Sequence, residues 1–257
     1  MTMKKINFLF CCLCLLLSIE TQAVIVNDVT GMTPVQVAAV VQPESTQQVA
    51  ELIKQTSGSI SIAGGKYSMG GQTAIQGALQ IDTQKLNHVI AFNPEQKLLT
   101  IEAGASWRQV QELIDPYGLS VKIMQSYADF SIGGSLSVNV HGRYFGEGPI
   151  ILSVEEFKIV LADGSVVVAS PKENQDIFYA AIGGYGGLGV ITEVTLRLAD
   201  NVKVKRVNEV MPISEYYRYF SQHIRSDKTA IFHYAIIYPP LISKKSVRLH
   251  LNRHKNQ

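Results

Sequence analysis

Three glycine-rich runs constrain the fold of this chain more than any other feature of its sequence. The first is Gly64-Gly65-Lys66-Tyr67-Ser68-Met69-Gly70-Gly71, the second covers residues 131–142, and the third covers residues 183–189. Each falls at the boundary of an expected strand or helix. Glycine lets the backbone take positive φ and lets a ligand come close to main-chain amides. Successive amides in such a turn form a concave anion site. One run alone reads as a tight turn. Three in one domain point to a long ligand threaded between them, and a diphosphate-bearing cofactor is the natural occupant. Gly184-Tyr185-Gly186-Gly187-Leu188-Gly189 satisfies G-x-G-x-x-G, but the dinucleotide fingerprint needs a strand before it and a helix after it. Here a helix precedes and a strand follows, so a Rossmann site is rejected.

Between the glycine runs the periodicities are clear. Ser45-Thr46-Gln47-Gln48 is a capping box, and Val49, Leu52 and Ile53 then share one helical face. Residues 59–63, 89–92 and 98–103 read as strands, with a turn at Asn93-Pro94-Glu95-Gln96. Ser106 and Gln109 form a second capping box, Trp107, Val110, Leu113 and Ile114 continue it as an apolar stripe, and Gly118 ends it. Asp163-Gly164 marks a hairpin between strands at 155–161 and 165–169. Residues 174–182 read as a helix. Residues 190–198 alternate, with Val190, Thr192, Val194 and Leu196 on one side of the pleat. After Asp200 the composition shifts: a strand at 203–211, a tyrosine-rich helix at 213–224 and a strand at 230–238 stopped by Pro239-Pro240. The tail 244–257 reads as basic and without pattern.

Hydrophobic residues make up 46% of the 257 and charged residues 17%, which suits a packed core and excludes a disordered chain. A net charge of +2 without a long basic run leaves nothing to recruit nucleic acid. Lys4 and Lys5, an apolar run at 6–19 and Thr21-Gln22-Ala23 read as a signal peptide over residues 1–23. The apolar run is shorter than the ~20 residues a span needs. The expectation is therefore export, periplasmic or secreted, with no membrane span after cleavage; a retained N-terminal anchor is the alternative. Cys11, Cys12 and Cys14 all lie in this segment, so the processed chain would have no disulfide, thiol nucleophile or cysteine-held metal or cofactor. His223, His233, His250 and His254 lack metal-ligand spacing, His88 sits by a turn as a solvated residue, and no metal site is expected.

These elements, taken in order over residues 33–200, resemble the FAD-linked oxidases with a vanillyl-alcohol oxidase or p-cresol methylhydroxylase (PCMH)-type FAD domain. The matching pieces are Pro43-Glu44-Ser45 with Val49, then Ile62-Ala63-Gly64-Gly65-Lys66-Tyr67-Ser68, then Leu98-Leu99-Thr100-Ile101-Glu102-Ala103-Gly104-Ala105. They continue with Ser131-Ile132-Gly133-Gly134-Ser135 and His141-Gly142, and close with Gly187-Leu188-Gly189-Val190-Ile191-Thr192. The resemblance implies an α+β fold of two α/β subdomains, followed from residue 201 by the beginning of a substrate-covering cap domain that looks truncated. It implies FAD as cofactor. Amides in the loop from Ala63 and Gly64 to Ser68, and at Gly133, Gly134 and Ser135 after Ser131, would hold the diphosphate, with help from Lys66. The main chain at Gly189, Val190 and Ile191 would run along the cofactor.

Many members of that family carry a histidine in the first loop that bonds to the flavin. The matching residue here is Tyr67, so the expectation is noncovalent FAD, leaning toward a dehydrogenase that passes electrons to a carrier over an oxidase that uses oxygen. His141, beside Gly142, matches a histidine near the flavin in sugar-oxidising relatives and is the candidate catalytic residue; it reads equally as a histidine closing a turn. Gln72 and Gln125 are candidates for the flavin or substrate pocket. Asp129 is a candidate ribityl or loop partner, or else a turn residue, and Tyr127 reads as packing. The implied reaction is hydride transfer from a C–H bond of an alcohol, lactone or hydroxy acid, with sugar-type alcohols foremost. Two alternatives stay open: a non-catalytic secreted flavin-binding module, and an NADPH-dependent enolpyruvyl-type reductase on the same fold.

Overall fold

In the computed structural model, which describes residues 23–238 and 247–254, a short antiparallel pair of β1 (Val24–Val26) and β2 (Val35–Val37) comes first. The expected signal peptide, its three cysteines and Pro239-Pro240 lie outside the described residues. A parallel three-stranded sheet follows, built from β3 (Ala39–Val41), β4 (Ile60–Ala63) and β5 (Leu79–Asp82) in the order β3-β5-β4. Helix α1 (Thr46–Gln55) connects β3 to β4. Ser45 caps it by accepting from the Gln48 amide at 3.2 Å. Gln48 does not return to Ser45 itself: its side chain takes the Glu44 amide, one residue earlier, at 2.7 Å. The helix buries Val49, Ala50 and Ile53 against Ile81 and Leu86, and against Val160 and Val190 of the neighbouring sheet. That shared cluster locks the two sheets together.

The second sheet has six strands, all pairs antiparallel: β6 (Val89–Asn93), β7 (Leu98–Glu102), β8 (Leu119–Val121), β9 (Val154–Leu161), β10 (Val166–Ala169) and β11 (Gly189–Asp200). Its order is β10-β9-β11-β7-β6, with β8 on β11. Strand β11 is central, and its expected alternation is visible: Val190, Thr192, Val194 and Leu196 are buried, while Ile191, Glu193 and Thr195 are half-buried. Thr192, the polar member of the inner set, bonds Thr46 Oγ1 at 2.9 Å, which satisfies a buried hydroxyl.

Helix α2 (Trp107–Ile114) carries the complete Ser106–Gln109 capping box, and Gly118 ends the following 3-10 turn at φ +64°. Trp107 is fully buried, and its indole Nε1 donates to Ser135 Oγ at 2.9 Å. The second glycine-rich segment, expected as a loop, contains helix α3 (Ile132–Ser137) with Ser131 as its cap. Helix α4 (Gln175–Ala181) precedes β11, which places the third glycine run after a helix and before a strand. His88 keeps a largely exposed ring but also holds the buried Glu102 carboxylate through Nδ1 at 2.9 Å.

A smaller antiparallel sheet completes the described chain: β12 (Val204–Met211), β13 (Ala230–Ile237) and β14 (Val247–His254), with helix α5 (Ile213–His223) between β12 and β13. The tail expected to lack pattern holds β14, which is the middle strand and pairs with both others. The small sheet docks on the main body through backbone pairing. His233 N donates to Arg143 O at 3.0 Å, Phe145 N donates to Ile231 O at 2.7 Å, and the Tyr144 and Phe232 rings lie 4.7 Å apart.

Candidate cofactor site

The three glycine runs, far apart in sequence, meet around the six residues of α3. At its N-terminal end, Ser131 Oγ accepts from its own helix at Gly134 N, 3.3 Å, and from the first run at Gly65 N, 3.2 Å. A Cβ placed on Gly64 would lie 2.3 Å from that hydroxyl, so the two runs touch only because Gly64 has no side chain. At the other end of α3 the third run takes the helix carbonyls: Gly183 N donates to Leu136 O and Tyr185 N to Ser137 O, both at 2.9 Å. The runs enclose one cavity. It is lined by Ile62, Gly64, Gly65, Lys66, Tyr67, Ser68, Gln72, Thr83, Gln125 and Phe130, then by Ser131, Gly133, Gly134, Ser135, Ser137 and Val138. Thr73, Ile159, Ala181, Tyr185, Gly186, Leu188, Gly189 and Ile191 complete the wall.

The donors facing this cavity can be counted. The amides of Lys66, Tyr67 and Ser68 take no acceptor among the described residues, in a turn where Lys66 adopts φ +60°. The Ser131 hydroxyl accepts twice, and its own proton has no acceptor there. Gln125 accepts from Ser135 Oγ at 2.8 Å through Oε1, which leaves its NH2 unpaired. These residues are half-buried at the cavity wall or, in the case of Ser131, buried, and an anionic ligand would satisfy several such donors at once. The Gly133, Gly134 and Ser135 amides are a different case. They donate to Ala103 O at 2.7 Å, to Ser131 Oγ and to Ser131 O at 3.0 Å. The second run therefore offers a hydroxyl and packing surface where free amides were expected, because α3 and its cap already use those amides.

Lys66 is the cavity's cationic side chain, and its Nζ sits 2.9 Å from Asp82 Oδ2, a carboxylate only 3% exposed. Removing that partner would leave a buried charge, so Lys66 chiefly holds the first loop to the end of β5. Its carbonyl also accepts from Val29 N at 3.0 Å. Tyr67 packs against Tyr127 and Phe130 at ring distances of 5.3 and 4.9 Å. Hydrogen bonding to Tyr67, then to Asp129, pushes the Tyr127 phenol pKa up. Arg108, 2.7 Å from Asp129 Oδ1, holds that carboxyl below its usual range.

Several expected contacts fall outside the cavity lining. Ala63 is buried in β4, where its carbonyl accepts from Thr83 Oγ1 at 3.1 Å. Val190 faces the α1 core. Asp129 faces Arg108. His141 is exposed, with Nδ1 3.3 Å from Gly142 O, and its backbone is bridged to Pro149. Gly142 is a packing glycine, since a Cβ there would come 2.2 Å from Met124 O. Thr83, Phe130, Ser137, Val138, Tyr185 and Leu188 line the cavity without having been singled out for it. Only Tyr185, an aromatic inside a glycine run, carried a sequence signal. Among the described residues no group of three His, Cys, Asp or Glu could hold a metal ion, and no helix is long and apolar enough to cross a membrane.

Residues 37–170, just over half of the chain, match the family described as FAD binding domain. Curated relatives agree with that match. Cytokinin dehydrogenase 9 of Oryza sativa subsp. japonica is 30% identical over 190 residues, which is 70% of this chain and 36% of the relative. A putative D-arabinono-1,4-lactone oxidase of Neurospora crassa is 31% identical over 160 residues, 61% of this chain and 29% of the relative. L-gulonolactone oxidase of Mus musculus is 30% identical over 159 residues, 61% of this chain and 36% of the relative. The chain spans about a third of the length of these relatives.

Proposed function

The chain belongs to the FAD-linked oxidase family through its FAD binding domain, and on that premise we propose that it is an exported flavoprotein that oxidises a C–H bond of a small alcohol, sugar, lactone or hydroxy acid. FAD is the family's cofactor, and when bound it supplies the hydride acceptor. The observation that carries the reading is the convergence of three glycine runs on one cavity with unpaired donors. Amides of Lys66, Tyr67 and Ser68 and the Ser131 hydroxyl hold the diphosphate. The Gln125 NH2, and Gln72 beside the first loop, supply neutral donors to the rest of the cofactor. Phe130, Val138, Leu188 and Ile191 exclude water from its apolar parts. No histidine or cysteine lines the cavity among the described residues, which supports noncovalent binding. The electron acceptor is oxygen or a carrier.

We assign the small sheet after Asp200 to a substrate-covering unit. Its support is the docking along residues 143–145, just beyond His141 and Gly142. His141, an exposed residue next to that segment, then acts from the rim. The visible absorption spectrum tests the flavin reading: purified chain should show a flavin spectrum that bleaches with a polyol or aldonolactone. A colourless protein that takes up no FAD on reconstitution defeats it. In a denaturing gel the flavin should leave the band, whereas fluorescence that stays with it contradicts noncovalent binding. N-terminal sequencing of the processed protein should begin at Val24.

A further inference from the structure

Resting on the FAD reading above, we propose that Tyr185 is a stacking platform for one of the ring systems of the bound dinucleotide. Tyr185 sits in the third glycine run with Gly183, Gly184, Gly186 and Gly187 around it, and its φ is +54°. A bulky residue is an outlier in that left-handed region, where a fifth glycine would hold the turn without strain. The side chain gains nothing visible in return. The residue is 76% exposed, and its ring meets no other aromatic among the described residues. It nevertheless lines the cavity.

The turn that carries the ring is held by backbone hydrogen bonds. Tyr185 N donates to Ser137 O, Gly187 N donates to Gly184 O at 2.9 Å, and Gly184 N donates to Ala181 O at 3.1 Å. An exposed aromatic on a strained, hydrogen-bonded turn at a cavity wall is explained by an occupant. Val138 and Leu188, which line the same cavity, expose apolar surface at 37% and 40%, so the wall offers apolar surface suited to a heteroaromatic ring. The distance fits as well. Tyr185 hangs from the last carbonyls of α3, while the Ser131 hydroxyl stands at its start, roughly 9 Å away at 1.5 Å rise per residue over six residues. A ligand whose diphosphate lies at Ser131 has a ring system, and not a phosphate, at Tyr185.

The test compares the full chain with Tyr185→Gly and Tyr185→Phe, using flavin-stripped protein. Thermal melting reads the empty fold, and quenching of flavin fluorescence reads FAD binding. Tyr185→Gly should melt no lower than wild type and bind FAD about tenfold more weakly, the scale of one ring stacked on an aromatic side chain. Tyr185→Phe should bind within about twofold of wild type, since the stacking face is kept. Titration with ADP and with FMN identifies the ring: a loss for ADP assigns adenine, and a loss for FMN assigns the isoalloxazine. Tyr185→Gly that binds FAD as wild type does, or that melts several degrees lower when empty, overturns the proposal while the FAD reading stands. Wild-type protein that takes up no flavin overturns both.

Discussion

The two parts of the molecule on either side of Asp200 are held together by different means. Before it, a continuous core runs from Leu99 and Trp107 through Ile132, Phe157 and Phe178 to Leu196, each residue at most 2% exposed. After it, α5 has no buried residue of its own, and among residues 201–238 the buried apolar positions are Met211 and Ile224. The first part is stabilised by close packing from several directions. The second is held by ladder hydrogen bonds within a three-stranded sheet, by a small cluster of Tyr216, Tyr219 and Ala235 around Met211, and by an edge laid along residues 143–145. The cavity belongs wholly to the first part, which explains its fixed shape: Trp107 Nε1 holds Ser135 in α3, and α3 in turn positions all three glycine runs.

If that contrast is right, small changes in the first part should have large effects. The largest is expected at Gly104, where a Cβ would lie 1.8 Å from Thr83 O and 2.7 Å from Leu86 O. Both obstacles are backbone and neither can swing away. Gly104→Ala should cost more than about 4 kcal/mol, in the range that abolishes folding, read as loss of a cooperative urea transition. Trp107→Ala comes next at about 3–5 kcal/mol. It should also weaken FAD binding, because Ser135 loses its indole partner; Trp107→Phe should recover much of the stability and less of the binding. Phe220→Ala in α5, which loses ring contacts with Phe145 at 6.0 Å and with His233 at 5.3 Å, should cost about 1 kcal/mol or less, typical of a partly exposed site, and leave FAD binding unchanged. A large loss of FAD affinity in Phe220→Ala would break the contrast.

The same contrast explains which elements could be read from the sequence. The Ser45 and Ser106 caps, the Asp163-Gly164 hairpin and the alternation of β11 are local signals, and the structure contains all four elements, with the reciprocal box complete only at Ser106. Strand β5 went unread because two of its four residues, Gln80 and Asp82, are polar and buried. What buries them is a parallel crossover, which no window of sequence displays. Helix α3 was hidden by its glycines, which are poor helix formers; packing on Trp107 and the Ser131 cap override that preference. Strand β14 was hidden by its basic residues, although Val247, Leu249 and Leu251 do alternate. In the site, the glycine runs identified the cavity, but individual roles depended on long-range partners. Lys66 reads from sequence as a residue that could assist at the diphosphate, and the structure pairs it with Asp82; His141 reads as either a flavin neighbour or a turn residue, and the structure has it exposed with its backbone bridged to Pro149.

Tyr144 offers the finest test, because it sits on the seam between the two parts. Its hydroxyl donates to Val121 O at 3.3 Å, its ring lies against Phe232, and burial, with a smaller contribution from Glu147, pushes its pKa up to about 12. In the unfolded chain the phenol titrates near its ordinary value of 10. Between those two values the folded protein binds the proton more tightly than the unfolded chain. The phenol's contribution to stability is therefore constant below pH 10 and is lost as pH rises from about 10 toward 12. Because the hydroxyl is bonded to Val121, the loss falls on the first part, whereas the ring contact with Phe232 is what crosses the seam. Tyr144→Phe keeps the ring contact and removes the titrating group, so its stability should weaken less than that of wild type between pH 9 and pH 11, read by urea unfolding at the two values. Equal weakening of both proteins would mean that the buried phenol is not the group whose ionisation destabilises the fold in that window.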